Sequence, residues 1–175
     1  MVMTPAQLGL KFAMKLIFLF CKGAEYVAGL LGILALLLVC YEVVARYFAP
    51  ELLTDWGAEV IVYLMVWGVF LSFGELARRN EHVSADLIVS KFNGAKKTAY
   101  QVSVWVVGLI FSIILAWAGW QIVEFALMLG ETGDTSLQFP KAYYYMALPF
   151  GMILQCLIYS SFLLKFIRSK SLPQG

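Results

Sequence analysis

A single histidine, His82, and three scattered cysteines, Cys21, Cys40 and Cys156, are all that this 175-residue chain offers to metal or thiol chemistry. Protein metal sites need several converging ligands at short spacing, and a bis-histidine haem protein needs more than one histidine inside the membrane; neither is available. No apolar segment sets a Ser, Cys or Lys beside a histidine, so a nucleophile and base pair is missing as well. The chain is therefore read as a non-enzyme without a cofactor. Charge is scarce too, with 14% Asp, Glu, Lys and Arg and a formal net charge of +2. That leaves no basic surface for nucleic acid. Long polar stretches are also lacking. The longest, 78–99, is too short for a soluble domain, and 1–175 is expected to be one membrane domain.

Apolar residues dominate what remains. They make up 62% of the chain, against roughly 45–50% in soluble domains, and mean hydropathy is +0.82. Four stretches, 24–47, 57–77, 100–129 and 142–166, each meet the roughly 20 apolar residues that a helix needs to cross a bilayer. The fold class expected is an all-α integral membrane protein with four transmembrane helices. The basic residues fix its orientation. Lys11, Lys15 and Lys22 precede the first stretch; Arg78, Arg79, Lys91, Lys96 and Lys97 lie between the second and third; Lys165, Arg168 and Lys170 follow the fourth. Only Arg46 and Lys141 fall in the other two connections, eleven against two, so both termini are placed in the cytoplasm. Residues 5–22 carry Gln7, Lys11, Lys15 and Lys22 in one helical wedge, with Leu8, Phe12, Leu16, Leu19 and Phe20 around the rest. This pattern suits an amphipathic helix in the headgroup layer. The basic start resembles a signal peptide, but no A-x-A-like site interrupts the run, and the segment is expected to be retained.

Ionisable groups inside spans are costly and mark function by default. Glu42 and Arg46 stand four apart in the favourable order for an intrahelical pair, near the outer end of the first span. On the second span Trp56, Glu59, Tyr63, Trp67, Phe70 and Gly74 fall within about 80° of one face. The indole and phenol groups of that stripe need partners, so it faces protein, either this chain or another subunit. The third span carries a small-residue seam, Gly108, Ser112 and Ala116, with Trp117, Trp120, Gln121 and Glu124 opposite. Glu75, one turn from Arg78 and Arg79, reads as a local salt bridge. Pro140 suits a helix start, and Pro149 with Gly151 predicts a kink. The loops 48–55 and 130–140 contain the acids Glu51, Asp55, Glu131 and Asp134, a surface on which another protein could dock. Asn93 and Gly94 read as a turn after a short amphipathic piece, 86–92.

Taken in order, Glu42-Val43-Val44-Ala45-Arg46-Tyr47-Phe48, Trp56-x-x-Glu59, Trp67-x-x-Phe70-Leu71, Arg79-x-x-His82-Val83-x-x-Asp86, Ser136-Leu137-x-x-Pro140 and Leu148-Pro149-x-Gly151 resemble the DctQ-like family. These are the small membrane subunits of tripartite ATP-independent periplasmic (TRAP) transporters. The chain departs from the family's usual pattern at Glu42, Ala58 and Ser72. The resemblance implies a bacterial inner-membrane, multi-pass, non-translocating scaffold subunit. Its implied partners are membrane lipids, a large multi-spanning subunit that carries an organic acid with sodium, and a periplasmic substrate-binding protein that delivers it. The cargo class implied is a C4-dicarboxylate or sialic acid. It further implies that Glu42, Arg46, Trp56, Glu59, Tyr63, Trp67 and Phe70 support packing within the subunit or against the large one. Arg79, His82 and Asp86 would order the cytoplasmic loop, while Glu51, Asp55, Glu131 and Asp134 would receive the binding protein. The competing reading is a self-sufficient small dimeric proton-coupled exporter using Glu42. It needs a carboxylate with a raised pKa deep in the membrane, and Glu42 lies near a span end, one turn from Arg46.

Overall fold

The computed structural model describes residues 5–79 and 95–170, and these are helical almost throughout. Helix α1 runs over Pro5–Phe48, α2 over Gly57–Arg78 and α3 over Ala95–Leu129, followed by a short α4, Lys141–Tyr145, and by α5, Ala147–Lys170. A single 3-10 turn, Pro50–Leu52, joins α1 to α2. Among the described residues four segments are long and apolar enough to cross a membrane: Met14–Phe48, Gly57–Arg78, Thr98–Leu129 and Lys141–Arg168. The chain is thus a multi-pass membrane protein. The four overlap the expected apolar runs, the first reaching back to Met14 rather than Ala24 and the third beginning at Thr98 rather than Tyr100.

Two expectations change. The N-terminal amphipathic segment and the first span are one unbroken helix of 44 residues. Ile17, Phe18 and Cys21, assigned from sequence to a surface-lying helix, pack against Ala77, Ile158 and Tyr159. Where a kink was expected at Pro149 and Gly151, the helix is interrupted one turn upstream, at Met146 between α4 and α5. Proline cannot donate to the carbonyl four residues earlier and its ring crowds that carbonyl, so the helix gives way around Tyr145 and Met146, before Pro149 itself.

The helices form a row rather than a closed bundle. Helix α1 packs on α2, α2 on α5, and α5 on α3. Helix α5 is therefore central, with half of its most apolar stretch buried, against 6% for α1 and 11% for α3. All four long helices meet at one end only, where Ile17, Phe18 and Cys21 of α1, Ala77 of α2, Trp105 and Leu109 of α3, and Ile158, Tyr159 and Phe162 of α5 converge.

Inside a bilayer apolar side chains gain little by leaving lipid, and helices associate through close van der Waals contact at small residues. Each seam of the row shows this. A Cβ on Gly151 would lie 2.4 Å from the carbonyl oxygen of Phe70, and one on Gly74 would lie 3.1 Å from both Cys21 Sγ and Leu154. On α3, a Cβ at Gly108 would fall 2.6 Å from the Tyr159 ring and one at Gly119 would lie 3.0 Å from Leu148 and Pro149. The seam read from Gly108, Ser112 and Ala116 thus faces α5. Its fully buried Ser112 returns its hydroxyl to the Gly108 carbonyl at 2.7 Å.

Replacing Gly151 by Ala forces the α2 backbone away and is expected to cost about 1–3 kcal/mol as an overpacked contact. Gly29→Ala, with nothing within 4 Å of the new Cβ, serves as the control. Thermal unfolding of both variants in detergent should show a lowered midpoint for Gly151→Ala and none for Gly29→Ala.

Candidate functional site: two polar clasps at the ends of the helix row

The ends of the row are closed by polar side chains. At the end carrying the 49–56 and 130–140 connections, the start of α2 grips the later loop. Asp55 accepts the Ser136 backbone N–H at 2.8 Å on one oxygen and the Ser136 hydroxyl at 2.7 Å on the other. One turn on, Glu59 accepts the Tyr63 hydroxyl at 2.7 Å and the Thr135 hydroxyl at 2.5 Å. The Glu59 carboxylate comes so near the loop that a Cβ on Gly133 would lie 2.0 Å from it. The loop is preshaped for this grip. Gly130 at φ 62° ends α3, with Gly130 N–H donating to Leu127 and Glu131 N–H to Ala126 in a Schellman closure. Gly133 N–H then donates to the Phe139 carbonyl and Lys141 N–H to that of Glu131, both at 2.9 Å.

The aromatic stripe of α2 continues this contact into the membrane. Tyr63 packs against Phe139 and Tyr144, Trp67 donates its indole N–H to the Tyr143 carbonyl at 3.0 Å and stacks near Phe150, and Phe70 meets Gly151. The stripe therefore faces this chain's own α4 and α5. Trp56, half-buried, occupies the N-cap position of α2 with no side-chain cap bond.

Glu42 does not pair with Arg46. Among the described residues no ion pair joins them, and Glu42 turns across to α2, where a Cβ on Gly57 would lie 1.9 Å from its Oε1. A carboxylate is favoured there because the first turn of α2 carries unpaired N–H groups and the positive end of the helix dipole. Arg46 stays exposed. Tyr41 adds a second tie from α1, its hydroxyl donating to the Leu52 carbonyl at 3.0 Å.

The opposite end is held by arginines. Glu75 is buried, 2% exposed, and takes a forked pair from Arg78 plus the Arg79 Nε–H at 3.1 Å. Arg79 also reaches α1, donating to Glu25 at 2.6 Å, and the Arg78 guanidinium lies 5.9 Å over the Phe18 ring. The local Glu75 pairing was readable from spacing, but Glu25 was missed: it lies 54 residues away, and only tertiary structure brings it in. His82 and Asp86, assigned with Arg79 to loop ordering, lie outside the described residues, as do Asn93, Gly94 and the 86–92 piece.

Of the docking acids, Asp55 is committed to Ser136. Glu51 is exposed and Glu131 half-buried. Asp134 is 96% exposed, 3.8 Å from the Lys141 ammonium.

The Asp55 carboxyl is held below its usual range, first by the Ser136 hydroxyl and then by the Ser136 N–H. A depressed folded-state pKa means that the clasp contributes fully above about pH 4, the unfolded value, and weakens as pH falls through the folded one. Hydrogen exchange at 134–137 should stay slow from neutral pH to about pH 4, after correction for the intrinsic rate, and quicken only below. Asp55→Asn should lose that dependence.

The sequence profile described as "Tripartite ATP-independent periplasmic transporters, DctQ component" matches residues 35–169, which hold the whole loop-end clasp and Glu75, Arg78 and Arg79 of the other, but not its Glu25 or the first part of α1. The chain is also 26% identical over 120 residues to the C4-dicarboxylate TRAP transporter small permease protein DctQ of Rhodobacter capsulatus, covering 67% of this chain and 52% of that protein. It thus spans about half the length of the relative it matches. Located in the inner membrane by that kinship and its four spans, the chain belongs to the DctQ-component family of tripartite ATP-independent periplasmic transporters.

Proposed function

We propose that this chain is the small, non-translocating scaffold subunit of a sodium-driven TRAP transporter, holding a large multi-spanning subunit in place while that partner carries the cargo. It performs no chemistry of its own. A periplasmic binding protein delivers an organic acid, and the relative's name favours a C4-dicarboxylate over a sialic acid. The observation that carries the scaffold role is the row itself: a layer one helix thick, clasped at both ends, with broad apolar faces on its outermost helices. Trp117 is 70% and Trp120 58% exposed on α3, on the side away from α5. These faces suit apposition to a larger membrane protein.

In this reading the arginine end is cytoplasmic and the loop end periplasmic, as the positive-inside count requires. The first residues of α1 follow the cytoplasmic headgroup layer up to the point where Ile17 joins the other helices. Arg79, with His82 and Asp86, orders the cytoplasmic connection. Glu51, Glu131 and Asp134 meet the binding protein, with Asp55 and Glu59 shaping the loop beneath them. Trp56, Tyr63, Trp67 and Phe70 keep the subunit rigid from within. The exporter alternative draws no support from Glu42, whose carboxylate lies against the start of α2 near the end of the first span.

Uptake into proteoliposomes separates the two readings. Sodium-driven accumulation should require the large subunit and binding protein together with this chain, and transport by this chain alone would overturn the scaffold role. Replacing Trp117 and Trp120 by Ala should lower copurification of the large subunit several-fold while leaving the chain's own melting midpoint unchanged, because neither side chain is buried in the row.

A further inference from the structure

We propose that a trough along α1 holds the tails of one anionic phospholipid, with Lys15 and Lys22 gripping its headgroup. The trough is made of two open clefts of about 540 and 520 Å³ that adjoin at their shared lining residues Val27 and Leu71. Leu16, Leu19 and Gly23 wall its arginine-end half and Leu31, Leu64 and Trp67 its other half. The Tyr63 hydroxyl is spent on Glu59 and the Trp67 indole on the Tyr143 carbonyl, and almost no polar surface faces the trough. A polar ligand would find no partner in it.

The clefts are large enough for acyl tails. A methylene takes about the same room as a water molecule in the liquid, about 30 Å³. Over their combined length the two clefts give room for about 35 methylenes, the two tails of one phospholipid lying side by side.

Charge selects the headgroup. Lys15 and Lys22 lie four residues before and three after Leu19, on one strip of helix surface with that wall residue. Both are exposed, and neither enters an ion pair among the described residues. The nearest acid on the same helix, Glu25, is neutralised by Arg79 at 2.6 Å. Two uncompensated cations at the mouth of an apolar trough are complementary to an anionic lipid head at the membrane surface.

The test is native mass spectrometry of the full chain with phosphatidylglycerol or phosphatidylcholine of identical tails. One phosphatidylglycerol should be retained with roughly 25-fold preference, about fivefold for each lysine. Lys15→Gln with Lys22→Gln should abolish the preference but leave phosphatidylcholine retention unchanged. Val27→Trp fills the trough from a side chain that is 48% exposed and should displace both lipids; Gly23→Val, at a position with nothing within 4 Å, tests the other half independently. Equal retention of the two lipids, or unchanged retention in both filling variants with native helix content, would overturn the proposal. So would crosslinking of the large subunit to Val27→Cys with no lipid retained.

Discussion

The close approach of α2 to α5 is the contact on which the rest of this molecule depends. Lipid tails are as apolar as leucine, so nothing but direct atomic contact and a few polar bonds holds one helix to the next. At Gly151 the α5 backbone touches the Phe70 carbonyl with no side chain between them. That proximity brings Trp67 within reach of the Tyr143 carbonyl and Tyr63 onto Phe139 and Tyr144. It also sets Gly74 against Cys21, which fastens α1. A wider spacing here would detach the aromatic stripe, then the loop clasp, then the first helix.

Different chemistry seals each end. At the loop end two carboxylates receive hydroxyl and amide donors from a loop shaped by its own backbone bonds, and at the other a buried carboxylate is wrapped by two arginines. Each suits its depth. Glu75, nearly dry, could not remain charged without cations, whereas Asp55 is exposed and needs only neutral donors.

The sequence made the helices legible because span length and hydropathy are properties of contiguous residues. The α3 seam was legible for a similar reason: small residues every fourth position mark a packing face without naming the partner. The α2 stripe was visible as a stripe, but its direction was not, since a tyrosine at mid-span needs a partner without saying whose. What stayed hidden was long-range. Asp55 finds Ser136 across 81 residues and Glu59 finds Thr135 across 76, and no local spacing rule reaches that far. Glu42 misled for the opposite reason. Its four-residue spacing to Arg46 satisfied a local rule worth only a few tenths of a kcal/mol, and the start of α2 offered a better environment. Pro149 disturbed its helix one turn upstream, where the missing N–H is felt.

Helix α1, at 44 residues, is about 66 Å long, more than twice the hydrocarbon thickness of a bilayer. It is fixed near Cys21 by the four-helix junction and near Glu42 by the start of α2. Its inclination is therefore a property of the assembled row, and α1 cannot lean alone. A thinner or thicker membrane must be met by rotating the whole layer or by deforming the lipid around it.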